Sequence, residues 1–126
     1  MNFKSYEGTE TTPVTIKVTN ELLNNYLQAT RGSTSIDSQF VPPALPMIFY
    51  QYIKVPWLEQ QSFIHKEQVF SYEHPISVGD SLQCTVSLIS VEKRRRFLVL
   101  HQELIGKNDE NKLIFSAKSI LLKEAE

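Results

Sequence analysis

The chain predicts an α+β fold in which a curved antiparallel sheet wraps around one central helix. Three observations point there. A nearly all-apolar stretch opened by prolines, VPPALPMIFYQYIKV at residues 41–55, lies ahead of all but one of the strands. Almost everything after it reads as long strands joined by short polar turns. Those strands have one apolar and one polar face, so the sheet needs a cover, and the apolar stretch is the candidate.

Each element has its own signal. Val14–Val18 (VTIKV) alternates and is rich in β-branched residues, which reads as a first strand. Thr19 or Asn20 can cap a helix over about Asn20–Thr30, where Leu22, Leu23, Tyr26 and Leu27 recur at helical spacing. Gly32 stands where a C-terminal cap belongs. Ser33–Phe40 is small and polar, which suggests a loop. Proline in the first turn of a helix removes no hydrogen bond, so Pro42, Pro43 and Pro46 mark the start of a helix over Ala44–Ile53, and Pro56 its end. That helix is apolar nearly all round, as an enclosed one is.

The strands follow. Ile64–Tyr72 carries Phe70 and Tyr72 two residues apart, on one face. His74-Pro75 and Val78-Gly79-Asp80 then turn the chain into the next strand. Ser81–Val91 sets Leu82, Cys84, Val86 and Leu88 against Gln83, Thr85 and Ser87. Glu92–Arg96 is a polar turn, Phe97–Ile105 a strand, Gly106–Asn111 a turn and Lys112–Leu122 the last strand, which together make an antiparallel meander. A twisted sheet curled on one helix is the hot-dog arrangement. Cystatin-like and nuclear-transport-factor-like cones share helix-before-strands order but spend more residues on helices.

Composition narrows the function classes. At 126 residues the chain fits a single domain, 1–126. A net charge of −1 gives no global field to recruit nucleic acid or an anionic membrane. The basic run Lys93-Arg94-Arg95-Arg96 reads as a solvated turn, with a phosphorylated ligand or an acidic carrier as the minority reading. The lone Cys84 sits at an apolar strand position and should behave as a small hydrophobe. No clustered metal ligands are visible and no cofactor is implied. No apolar run reaches 18 residues, and MNFKSYEGTE is not a secretory signal, so the expectation is a cytoplasmic protein with no membrane span.

The run IHKEQVFSYEHPISVGDSL, Ile64–Leu82, resembles the MaoC-like hydratase and dehydratase family of hot-dog proteins, in its N-terminal, non-catalytic-half type. The pattern His-x-Glu-x-x-Phe-x-Tyr-x-x-Pro-x-x-x-Gly-Asp is present in register as His65, Glu67, Phe70, Tyr72, Pro75, Gly79 and Asp80. Val41-Pro42-Pro43 matches the Pro-Pro lead into that type's helix. The resemblance covers about Thr19–Lys123. It implies acyl-thioester chemistry, the reversible addition of water to a trans-2-enoyl thioester of coenzyme A or acyl carrier protein.

Catalytic members place an Asp and a His five residues apart, Asp-x-Asn-Pro-(Ile or Leu)-His, just before the central helix. Water must lose a proton as it attacks, and the α-carbon must gain one, so a carboxylate and an imidazole can share the work. The corresponding loop here, Ser33–Pro43, holds Asp37 but no histidine, and Pro42 stands five residues beyond it. The resemblance thus implies a chain without the dyad, working as a homodimer or as a heterodimer with a catalytic MaoC-like subunit. Pro43, Met47, Tyr50, Phe70 and Tyr72 are the candidate acyl-binding residues. His65 and Glu67, two apart on one strand, are read as polar contacts at a sheet edge or a dimer seam. As an acid–base pair they would instead make a stand-alone hydratase or thioesterase, with Asp80 as another partner for His65. His101 and Glu103 repeat that spacing, and Asp80 is read as a turn residue. Trp57 is left open between a lid on the core and an exposed anchor. A binding module without chemistry is the third alternative.

Overall fold

The structure is a computed structural model that describes residues 2–30 and 44–125, residues 27–30 by backbone alone. Five strands form one antiparallel sheet: β1 (Val14–Lys17), β2 (Ile64–Tyr72), β3 (Ser81–Arg94), β4 (Phe97–Lys107) and β5 (Leu113–Glu124). Their order is β1-β3-β4-β5-β2. The β3–β4–β5 meander is as the alternation requires, and Leu82, Cys84, Val86 and Leu88 are all buried on one face. This is the curled-sheet hot-dog fold.

The link from β2 to β3 differs from the turn that was expected. β2 pairs with β5, at the far side of the sheet from β3. The segment 73–80 therefore crosses one end of the inner face, with Ile76 buried beneath it. It is pinned at both sides: the Glu73 amide donates to the Ile114 carbonyl at 2.8 Å, and the Gly79 amide donates to the Val18 carbonyl at 2.7 Å. Gly79 holds φ 104, a conformation L side chains avoid. Asp80 acts as the turn residue, its Oδ2 accepting the Ser77 amide at 2.8 Å.

One α-helix, α1 (Asn20–Thr30), follows β1. Thr19 caps it, its Oγ1 accepting the Leu22 amide at 3.1 Å. Gly32 and the loop Ser33–Pro43 lie outside the described residues. The expected central helix is a 3₁₀ rod, Leu45–Tyr52, with Pro46 in its first turn. Leu45, Ile48 and Phe49 are buried beneath it, whereas Gln51 is exposed and Tyr52 is 46% exposed. The rod thus covers the sheet on one side and meets solvent on the other; it is not enclosed all round. Pro56 does not end it. The chain is already extended at Ile53, and Pro56 opens a separate 3₁₀ turn, Pro56–Leu58. Trp57 in that turn is fully buried, which makes it core.

Two boundaries moved for local reasons. Gly106 belongs to β4, opposite Phe115 of β5, because its missing Cβ leaves room for the Phe115 ring. The turn starts at Asn108, whose Oδ1 accepts the amides of Glu110 and Lys112 at 2.9 and 3.0 Å. β3 runs on to Arg94, so the basic turn is two residues, Arg95-Arg96, with Arg95 at φ 56. A further 3₁₀ turn at Phe3–Tyr6, unsignalled in the sequence, buries Phe3 edge-on against Phe63 at 5.8 Å.

Candidate functional site between the rod and the inner sheet face

Between its ends the inner face is aliphatic and aromatic except for one row. Gln68 of β2, Ser119 of β5 and Gln102 of β4 are cross-strand neighbours there, with Gln102 and Ser119 at 2% and 1% exposure. Buried amides require partners. Gln102 Nε2 donates to the Tyr50 hydroxyl at 3.1 Å, and Gln102 Oε1 accepts the Trp57 indole N–H at 2.9 Å. Gln68 Nε2 donates to Ser119 Oγ at 3.2 Å and contacts the Met47 sulfur. The row therefore ties both 3₁₀ segments to the sheet. Among the described residues no buried side-chain nitrogen or oxygen lacks a partner.

Tyr50 is half-buried, and desolvation pushes its phenol up to about 12, against the pull of its bonds with Ser119 and Gln102. It stays a neutral hydroxyl at ordinary pH. Beside it opens a cavity of about 320 Å³ lined by Met47, Tyr50, Leu58, Gln61, Phe63, His65 and Leu121, with Gln102 in its floor. Among the described residues no carboxylate lines it. Further along β2, Phe70 stands opposite Ala117 and Tyr72 opposite Phe115. The Tyr72 ring lies 6.2 Å from Phe115, which in turn lies 5.8 Å from Phe49 of the rod. Burial, and then neighbouring Tyr26, push the Tyr72 phenol up to about 12.

Of the residues singled out in the sequence, the structure brings Met47 and Tyr50 together at the cavity and sets Phe70 and Tyr72 on the same inner face. Pro43, Asp37 and Pro42 lie outside the described residues. His65 and Glu67 do not share a face. A β-bulge between them sets His65 opposite the buried Leu121 and Glu67 opposite Ile120. One extra residue, Lys66, reverses the alternation. His65 enters the inner cavity, whereas Glu67 borders an outer-face recess of about 470 Å³ with His101 and Glu103. Asp80 is spent in its turn, past the opposite end of β2 from His65. His65 therefore pairs with neither Glu67 nor Asp80.

A sequence-family profile for the FAS1-like dehydratase domain region matches residues 5–115. The chain belongs to this family. No protein of curated function matches it in sequence. Among solved structures it is similar to a chain of the C-terminally truncated HadBC (3R-hydroxyacyl-ACP dehydratase) complex of Mycobacterium tuberculosis. The identity is 17%, the TM-score 0.77, and the match covers 94% of this chain and 97% of that one. A MaoC-like dehydratase matches at 13% identity and TM-score 0.78, over 97% of this chain and 43% of that longer one. A chain of the ChsH1-ChsH2 complex of Mycobacterium tuberculosis matches at 11% identity and TM-score 0.64, over 97% and 91%. These likenesses make the fold that of the MaoC-like hot-dog dehydratases.

For a dehydratase-region chain, the polar row is the feature that sequence reasoning missed. Its signal was present. Gln102 shares strand parity with Leu98, Leu100 and Leu104, and Ser119 with Ala117 and Leu121, so both were polar residues at inward positions. Cys84, fully buried, has its thiol pushed up to about 12 by desolvation and is packing, not chemistry. No helix among the described residues is long and apolar enough to cross a membrane.

Proposed function

We propose that this chain is a subunit of a (3R)-hydroxyacyl-thioester dehydratase or enoyl-thioester hydratase, and that it binds the acyl chain but lacks the catalytic Asp/His dyad. The observation that carries this reading is the inner cavity: acyl-compatible walls of Met47, Leu58, Phe63 and Leu121, one imidazole and, among the described residues, no carboxylate. The histidine-free stretch Ser33–Pro43 supports it from the sequence. Met47, Tyr50, Phe70 and Tyr72, with Pro43 at the head of the rod, are the proposed acyl contacts. The substrate is a thioester of coenzyme A or acyl carrier protein, handled in the cytoplasm without a cofactor, since adding water transfers no electrons.

The dyad then comes from a second subunit. Two of the similar structures are complexes, which supports a heterodimer with a catalytic MaoC-like chain; a homodimer is the alternative assembly. Edge strand β2, with Ile64 and Val69 60% and 48% exposed, is the proposed seam. The stand-alone reading is disfavoured by the bulge that parts His65 from Glu67.

Crotonyl-CoA hydration, followed by the loss of enoyl absorbance, tests the proposal. The chain alone should give no turnover, and adding a catalytic MaoC-like subunit should restore it. Turnover by the lone chain that is lost in His65→Ala would favour a stand-alone enzyme. Thioester binding without turnover in any mixture would leave a binding module.

A further inference from the structure

The cavity beside Tyr50 has a second property, which concerns charge at its mouth. One row beyond its Leu121 wall, the inner face ends in Lys93, Leu98 and Lys123, which are cross-strand neighbours on β3, β4 and β5. Lys123 is half-buried, with its ammonium 5.7 Å from the ring centroid of Phe63, a cavity wall. His65 lies directly across from Leu121. Diagonal neighbours of this kind sit about 7–8 Å apart at Cα, within reach of one small anion. Among the described residues Lys93, Lys123 and His65 form no ion pair. Glu92 pairs with Arg94, and Glu124 alternates to the other face, opposite Phe97. The bulge at Lys66 removes Glu67 from the inner side. Glu7, at the edge of β3, is taken up by Lys4 and the Val91 amide. Lys93 and Lys123 thus stand one row beyond a cavity whose Leu58, Phe63 and Leu121 walls are apolar.

We propose that this cavity is a site for a free carboxylate amphiphile, a medium-chain fatty acid, its tail against Leu58, Phe63 and Leu121 and its head between His65 and Lys123. This goes beyond acyl-thioester binding. A thioester is neutral at its carbonyl, and its carrier's phosphates lie a pantetheine arm away, so it would leave the rim charges unanswered. A free acid carries its charge one carbon from the tail. The volume is that of about ten water-sized groups, which suits a tail of roughly eight to ten carbons. Edge pairing along β2 would use backbone groups and leave this inner-face mouth to side chains.

Trp57 is the sole tryptophan and is hydrogen-bonded to Gln102 in the cavity floor, so its emission reports occupancy. The full chain is titrated with decanoate and decyltrimethylammonium below their micelle concentrations and with decanol below its solubility limit, with calorimetry as a second readout. Decanoate should bind saturably and more tightly than decanol by about fivefold, as one partly screened ion pair gives. The cationic amphiphile should not bind. Lys123→Gln should bring decanoate to the decanol level and leave decanol unchanged, and His65→Gln should act in the same direction. Equal affinity for acid and alcohol with no effect of Lys123→Gln would overturn the proposal, as would no saturable binding of either. A decanoyl-CoA arm separates it from the functional reading: binding of the thioester but not the acid removes this site and leaves that reading standing, and the reverse result supports this site alone.

Discussion

At Gly106 the missing Cβ lets the Phe115 ring lie across the strand. A methyl built there would overlap the ring, and Phe115 is fully buried between Phe49 and Tyr72. Gly106→Ala should therefore destabilise by about 1–3 kcal/mol, the range for overpacking, read as a lower urea midpoint at unchanged slope. Cys84 and Tyr50 make a prediction about pH. Their folded groups are held protonated up to about 12, against ordinary values of 9.0 and 10.0. Above pH 9 the unfolded chain loses these protons while the folded one keeps them, so unfolding is favoured as pH rises. Melting temperature should hold below pH 8 and fall between pH 9 and 12. In Cys84→Ala the fall should begin about one pH unit later. These residues show what a sequence exposes: Cys84 was legible as packing from its alternation, whereas Gly106 beside polar residues looked like a turn because its partner ring is distant in sequence.

Among the elements, strands were read well because their period of two is set by burial on one face, and the same burial fixes register. The rod was read less well. A segment apolar on every side carries no period, so it could not reveal that it winds as 3₁₀ with Gln51 and Tyr52 outward. Bulges leave no trace in a single sequence, which is why His65 and Glu67 looked like one face. The rod is held by the row that crosses β2, β5 and β4. Gln102→Ala strands the buried Trp57 indole N–H and removes one of the two partners of the Tyr50 hydroxyl, Ser119 remaining. It should cost roughly 1–3 kcal/mol, the penalty for stranded buried donors, and should shift Trp57 emission in the folded state. Ser119→Ala, which leaves the Trp57–Gln102 bond intact, should leave the emission unchanged.

The whole molecule has two unlike edges. β1 is four residues long, while β2 is nine and presents Ile64 and Val69 to solvent. A long, partly apolar edge is an unfinished sheet unless another chain completes it. The expectation is a dimer, with itself or with a catalytic partner, that survives 0.5 M salt (about a 4 Å Debye length), because backbone bonds and apolar area hold it. Light scattering at micromolar concentration checks this, and a monomer in all conditions would count against it. The most direct test of the account as a whole is a ¹⁵N amide shift map of the chain on adding an enoyl-CoA. Perturbations should gather on the rod Leu45–Tyr52, inward residues of β2 and the Gln102–Ser119 row. Shifts confined to the outer recess around Glu67, His101 and Glu103, or none at saturating thioester, would contradict it.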